Sequence, residues 1–242
     1  MSREAETRNI HYSIALDGPS GAGKSTIAKT IAKEMNFLYL DTGAMYRAFG
    51  LYAIKNGVDF SGGWSDKSIE GKLIELLETF DLDVRYVDGH QRVYVFGEDY
   101  TDHIRTNEVS KAASAVAVVS AVRLKMVELQ RKIAQGMDVV MDGRDIGTYV
   151  LPDATVKIFV TATPLARAKR RYKELIDKGD DSHTFEQVYG DMIERDKNDS
   201  SRAFAPLTRA EDATLLDTTD LNLEESIDAV RTIVINRIGK RN

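Results

Sequence analysis

The sequence predicts an α/β fold: a three-layer sandwich with a central parallel sheet, a small antiparallel insert and a helical lid. Three observations predict it. Short apolar runs bounded by polar residues alternate with segments of helical period, the pattern of parallel strands covered on both faces. One stretch instead alternates β-branched and aromatic residues about an Asp-Gly pair, a hairpin signal. Another is polar and rich in both charge signs, as mobile covering helices are.

Taken in order, strands are expected from His11 to Asp17, Phe37 to Asp41, Val139 to Asp142, Val156 to Thr161 and Thr214 to Asp217. Helices are expected from Lys24 to Met35, Ala44 to Asn56, Val122 to Gln135, Pro164 to Lys178 and Leu223 to Ile238. The insert falls between about Gly57 and Ser120, its hairpin formed by Asp81 to Val87 and Arg92 to Phe96 around Asp88-Gly89. The lid falls between about Arg167 and Arg209. No repeat or linker divides the chain, so 1–242 reads as a single domain.

Between the first strand and first helix stands Gly18-Pro19-Ser20-Gly21-Ala22-Gly23-Lys24-Ser25-Thr26. The spacing G-x-x-x-x-G-K-S turns backbone N–H groups inward around a phosphate, with Lys24 reaching the terminal phosphates and the Ser25 hydroxyl set for Mg²⁺. The helix that follows adds its positive dipole end. In that setting the motif makes the fold P-loop NTPase-type and implies ATP with Mg²⁺.

Composition narrows the rest. With 242 residues and 43% hydrophobic content the chain can bury a substantial core. A net charge of −5 supplies no basic field, which argues against nucleic-acid or anionic-membrane partners. The absence of cysteine removes disulfides, zinc thiolates and thiol nucleophiles, and fits a reducing cytosol. His11, His90, His103 and His183 lack metal-ligand spacing. Met1 to Asn9 has no apolar core of a leader, and no run approaches ~18 apolar residues. A cytoplasmic protein is expected.

Two strand ends carry further chemistry. Asp41-Thr42-Gly43-Ala44-Met45-Tyr46-Arg47 lies where open α/β sheets bind ligands, with Thr42 placed to cap the helix and Arg47 to meet a second phosphate. Val139 to Asp145 reads as a strand ending in a carboxylate beside a flexible turn. Asp142 can orient Mg²⁺-bound water, Arg144 offers a planar fork to phosphate, and Asp145 can accept from a base amino group. Further on, Arg167, Arg170 and Arg171 share one helical face, as do Arg195, Asp199 and Arg202. Arginine suits bidentate phosphate contact and transition-state charge. No Ser-His-Asp or Cys-His arrangement is present, so positioning and electrostatics must carry the catalysis, as in phosphoryl transfer. A switch protein of the same fold is the rival class, but N-K-x-D is absent.

IALDGPSGAGKST, FLYLDTGAMYRA, AASAVAVVSAVR, VVMDGRDIGTYVLPDATVKIFVTA, ERDKNDSSRAFAPL and LLDTTDLNLEESI occur in this order, and from His11 to Ile238 the chain resembles the bacterial cytidylate kinase family. The resemblance implies phosphorylation of CMP and dCMP by MgATP, in pyrimidine nucleotide metabolism, by a monomer. It implies a core of about 10–41, 137–166 and 207–242, a monophosphate-binding region of about 42–136 and a lid of about 167–206. It implies a CMP-facing set of Thr42, Arg47, Ser114, Arg123, Arg144, Asp145, Arg195, Asp199 and Arg202. Within that set Ser114, Arg144 and Asp145 would read cytosine and its vicinity, Arg47, Arg144 and Arg195 the phosphate, and Asp199 the ribose. Lys24, Arg144, Arg171 and Arg195 are the expected catalytic cations, with Arg171 or Arg167 on the ATP side. Two positions depart from the pattern: Asn198 stands where many relatives carry arginine, and Thr42 replaces a serine. On the same core the acceptor alternatives are UMP, AMP and shikimate.

Overall fold

The computed structural model describes residues 11–62 and 67–239, so the leader reading of Met1 to Asn9 lies outside the described residues. Continuous apolar runs place β1 (Ser13–Asp17), β2 (Leu38–Asp41), β6 (Val139–Gly143), β7 (Val156–Thr161) and β8 (Thr214–Asp217) in one sheet of order β2-β6-β1-β7-β8. Every pairing in it is parallel, with Ala15 opposite Met141 and Lys157. Runs apolar on both faces need cover on both. Leu40, Met141 and Ala15 pack under α2 (Thr42–Lys55), α4 (Asn107–Val116) and α5 (Ser120–Ala134). Ile14 and Leu16 of β1, with Val156, Ile158 and Val160 of β7, pack under α1 (Lys24–Met35) and α8 (Leu223–Ile238).

The insert holds α3 (Glu70–Glu78) and an antiparallel sheet of β3 (Leu82–Val87), β4 (His90–Val95) and the short β5 (Glu98–Asp99). The Asp88-Gly89 turn takes positive φ at both residues, 51° and 75°, as a tight hairpin of matching twist requires. After β7, α6 (Pro164–Asp177) and α7 (Phe185–Ser201) form a helical hairpin beside the carboxyl ends of the strands. Thr163 caps α6, and Thr184 with Gln187 closes a capping box on α7.

Three local expectations are corrected. The first strand begins at Ser13, not His11. The second helix begins at Thr42, because Asp41 rather than Thr42 caps it: the Asp41 carboxylate accepts from Ala44 N–H at 2.9 Å. The segment after Asp142 is no flexible turn: β6 continues through Gly143, and Ile146–Val150 forms a single π turn pinned at its start.

Candidate active site

The chain leaves β1 through Gly18, whose φ of 145° and close passage under β7 admit no side chain; a Cβ there would stand 1.9 Å from Val160 O. The loop then delivers Gly23, at φ 87°, as the N-cap of α1. This is the strand, loop and helix of a phosphate cradle. Lys24, the first residue of α1, is buried and donates to Pro19 O at 2.7 Å, so its ammonium lies across the loop. Burial, reinforced by Arg144, pushes its pKa well below the ordinary lysine range.

Ser25 Oγ donates to Asp142 Oδ2 at 2.7 Å, and Tyr39 OH donates to Asp142 Oδ1 at 2.7 Å. Burial, then Asp41 nearby, raises the Asp142 pKa. One hydroxyl and one oriented carboxylate form the sparse donor set that fits Mg²⁺, which keeps several waters and takes other oxygens from phosphate. Among the described residues no three His, Cys, Asp or Glu side chains converge as a metal cage.

On the neighbouring side the arginines are held by carboxylates. Arg47 reaches back six residues to Asp41 at 2.8 Å. Thr42 Oγ1 donates to Asp142 O at 2.7 Å, tying the start of α2 to β6. Arg144 Nε donates to Asp199 Oδ2 at 2.7 Å, while Arg202 takes Asp199 Oδ1. Burial alone would raise the Asp199 pKa, but Arg144, Arg202 and Arg195 outweigh it and hold it at about 2. Arg195 joins the same group; desolvation, then Arg144, lowers its pKa to about 10, and its Nε has no hydrogen-bond partner. Arg123, 1% exposed, pairs with Asp145 and lies over the Tyr46 ring at 5.8 Å. Four arginines thus converge from α2, the end of β6 and α7, against a smaller number of carboxylates.

Two residues stand apart from that group. Ser114 spends its hydroxyl on Ser110 O at 3.2 Å within α4. Arg171 pairs with Glu174 at 3.0 Å on the exposed side of α6. Arg167 instead is buried and donates to Ser20 O in the phosphate loop at 2.9 Å, with Asp196 of α7 as its second partner. Arg170 serves the end of β8, bonding Thr218.

The sequence reading passed over Asp17 and Tyr39. Asp17 accepts from Ile146 N–H and Gly147 N–H, each at 2.7 Å, and burial raises its pKa to about 6. It joins the residue before the phosphate loop to the turn that follows Arg144 and Asp145. A carboxylate at the buried end of a strand, directly before Gly18, was the available signal.

A parallel sheet with a glycine-rich phosphate loop, a hydroxyl-carboxylate pair for a metal and an adjoining arginine cluster defines a P-loop kinase. The cytidylate kinase family model matches residues 14–236, and the chain belongs to that family. It is 46% identical over 217 residues to the cytidylate kinase of Caldicellulosiruptor bescii, covering 90% of this chain and 92% of that one. It is 48% identical to the cytidylate kinase of Clostridioides difficile, covering 90% and 95%. A crystal structure of an uncharacterized protein from Eubacterium ventriosum shares the fold at TM-score 0.51 with 13% identity, over 94% of this chain and all of that one.

Proposed function

We propose that this kinase transfers the γ-phosphoryl group of ATP to CMP or dCMP, giving ADP and CDP or dCDP. The observation that carries the reading is the arginine cluster of Arg47, Arg144, Arg195 and Arg202, gathered beside the phosphate loop and drawn from segments matching one family. ATP is read at Gly18 to Thr26, and Mg²⁺ at Ser25 and, through water, Asp142. Bound there, Mg²⁺ would neutralise charge on the donor phosphates.

The acceptor is read at Thr42, Arg47, Ser114, Arg123, Arg144, Asp145, Arg195, Asp199 and Arg202. Its phosphate oxygen needs no general base, since the second phosphate ionisation lies at about pH 6. Lys24, Arg144 and Arg195 stabilise charge on the transferring group, and alignment of two held phosphates supplies the rest. Arg171 joins them when residues 167–206 close as a lid; Arg167, already on Ser20 O, anchors that lid to the loop. Closure excludes water and so suppresses ATP hydrolysis. We read 10–41, 137–166 and 207–242 as the core and 42–136 as the monophosphate-binding region. The enzyme is read as a cytoplasmic monomer of pyrimidine nucleotide metabolism without a nucleic-acid partner. Among the described residues no helix is long and apolar enough to cross a membrane.

A coupled assay offering CMP, dCMP, UMP, AMP and shikimate tests the reading. CMP and dCMP are expected to give the highest kcat/KM, and preference for any other acceptor overturns the substrate assignment.

A further inference from the structure

β2 is the outer strand of the five-stranded sheet. An edge strand leaves every second residue's main-chain polar groups without a ladder partner. Leu38 N–H turns inward to Asp138 O at 2.8 Å, so the alternation turns the main-chain groups of Tyr39 and Asp41 outward. The insert hairpin takes up three of these four groups with side chains. Tyr86 OH donates to Tyr39 O at 2.8 Å. The Gln91 amide serves both groups of Asp41: its Oε1 accepts from Asp41 N–H at 2.7 Å and its Nε2 donates to Asp41 O at 3.2 Å. Tyr86 and Gln91 lie directly opposite each other across β3 and β4, so one cross-strand pair stands in for a sixth strand.

Asp41 is more than an edge residue. Its carboxylate caps α2 through Ala44 N–H and also holds Arg47. Fixing its main chain fixes its Cα–Cβ direction, and with it the place from which Arg47 meets a ligand. Misplacing such a group by about 1 Å can cost up to ~100-fold in rate. We propose that Gln91 is a positioning residue for the acceptor phosphate, acting through Asp41 on Arg47; this rests on the CMP-kinase reading above. The hairpin packs on β2 and α2; its Tyr86 reaches Tyr39, the residue that orients Asp142, whereas Gln91 acts on Asp41 and so on the acceptor side.

Gln91→Met keeps the side-chain volume and removes both hydrogen bonds. It is expected to raise KM for CMP about tenfold, with KM for ATP and kcat changed less than about twofold. In an Arg47→Ala background the same substitution should change KM for CMP less than about twofold, because the route through Arg47 is already lost. Tyr86→Phe leaves Asp41 held and should leave KM for CMP within about twofold. If Gln91→Met does not fold, Gln91→Glu, which when ionised sets an acceptor oxygen against Asp41 O, should show a rise at least as large with the same selectivity. An unchanged KM for CMP in folded Gln91→Met overturns the proposal. So does an equal rise for ATP, full additivity with Arg47→Ala, or loss of folding in both Gln91 variants. If the unsubstituted enzyme ignores CMP, the functional reading fails at that step, and the cycle is run with whichever acceptor it prefers.

Discussion

The donor and acceptor halves of the proposed site are held by different means. On the donor side, backbone conformation sets the geometry: Gly18 under Val160, Gly23 opening α1, and Lys24 fixed on Pro19 O within one short segment. On the acceptor side, charged side chains from distant segments hold one another, Arg144 to Asp199 across 55 positions and Arg123 to Asp145 across 22. A backbone cradle is ready before any ligand arrives. An arginine set paired with internal carboxylates must exchange those partners, in part, for a phosphate. Donor binding should therefore depend on a few positions absolutely, and acceptor binding on many positions gradually.

Lys24→Ala is the sharpest test of the donor half. Lys24 is buried and its pKa lowered mainly by that burial, so its removal relieves desolvation while deleting the cation read as facing the transferred group. We expect kcat to fall about 10³-fold, or ~4 kcal/mol, with a melting temperature within a few degrees of the unsubstituted enzyme. A comparable loss of thermal stability and activity would show that the loop needs Lys24 to form.

The same contrast explains what could be read from the sequence. The phosphate loop is contiguous and its glycines answer local backbone demands, so spacing alone revealed it. Strand and helix alternation was legible for the same reason, as was the Asp88-Gly89 hairpin. Partners far apart in the chain were not legible. Nothing local announces that Asp17 will meet Ile146 N–H, 129 positions away, or that Arg167 will reach Ser20 O. The π turn at Ile146–Val150 has no period that a helix or strand template detects. Of the acceptor set, strand-end position and helical spacing singled out Arg47, Arg144, Asp145, Arg195, Asp199 and Arg202, while Ser114 and Arg123 came from family resemblance alone; which of them pair is a product of the fold.

Asp17 sits on the boundary between the halves and gives the next largest effect, read as stability against pH. Its folded pKa is raised from 3.8 to about 6, by burial against the opposing pull of two backbone N–H donors. Between those values the folded state binds a proton that the unfolded state has released. Stability from this group is therefore full below about pH 4 and is lost as pH rises through about 6. In urea unfolding from pH 4 to 7, the unsubstituted enzyme should lose about 3 kcal/mol of stability relative to Asp17→Asn as pH rises. A gain relative to Asp17→Asn would mean that Ile146 and Gly147 bind the carboxylate well enough to overcome burial.

The smallest and most informative effects lie within the acceptor half, in Arg47→Ala against Arg144→Ala. Each removes a cation read as a donor to the acceptor phosphate and should raise KM for CMP about 30-fold, ~2 kcal/mol, with KM for ATP nearly unchanged. Their effects on kcat should differ. Arg47 is tied to Asp41 at the start of its own helix, so its loss leaves α7 untouched. Arg144 ties the end of β6 to Asp199 on α7, and its loss leaves that buried carboxylate to Arg202. Arg144→Ala should accordingly lower kcat as well, because it loosens α7, the helix proposed to close over both nucleotides, whereas Arg47→Ala should leave kcat within about threefold. Unchanged CMP dependence in both variants would overturn the acceptor assignment. Equal effects on kcat would show that the Arg144–Asp199 tie does not position α7.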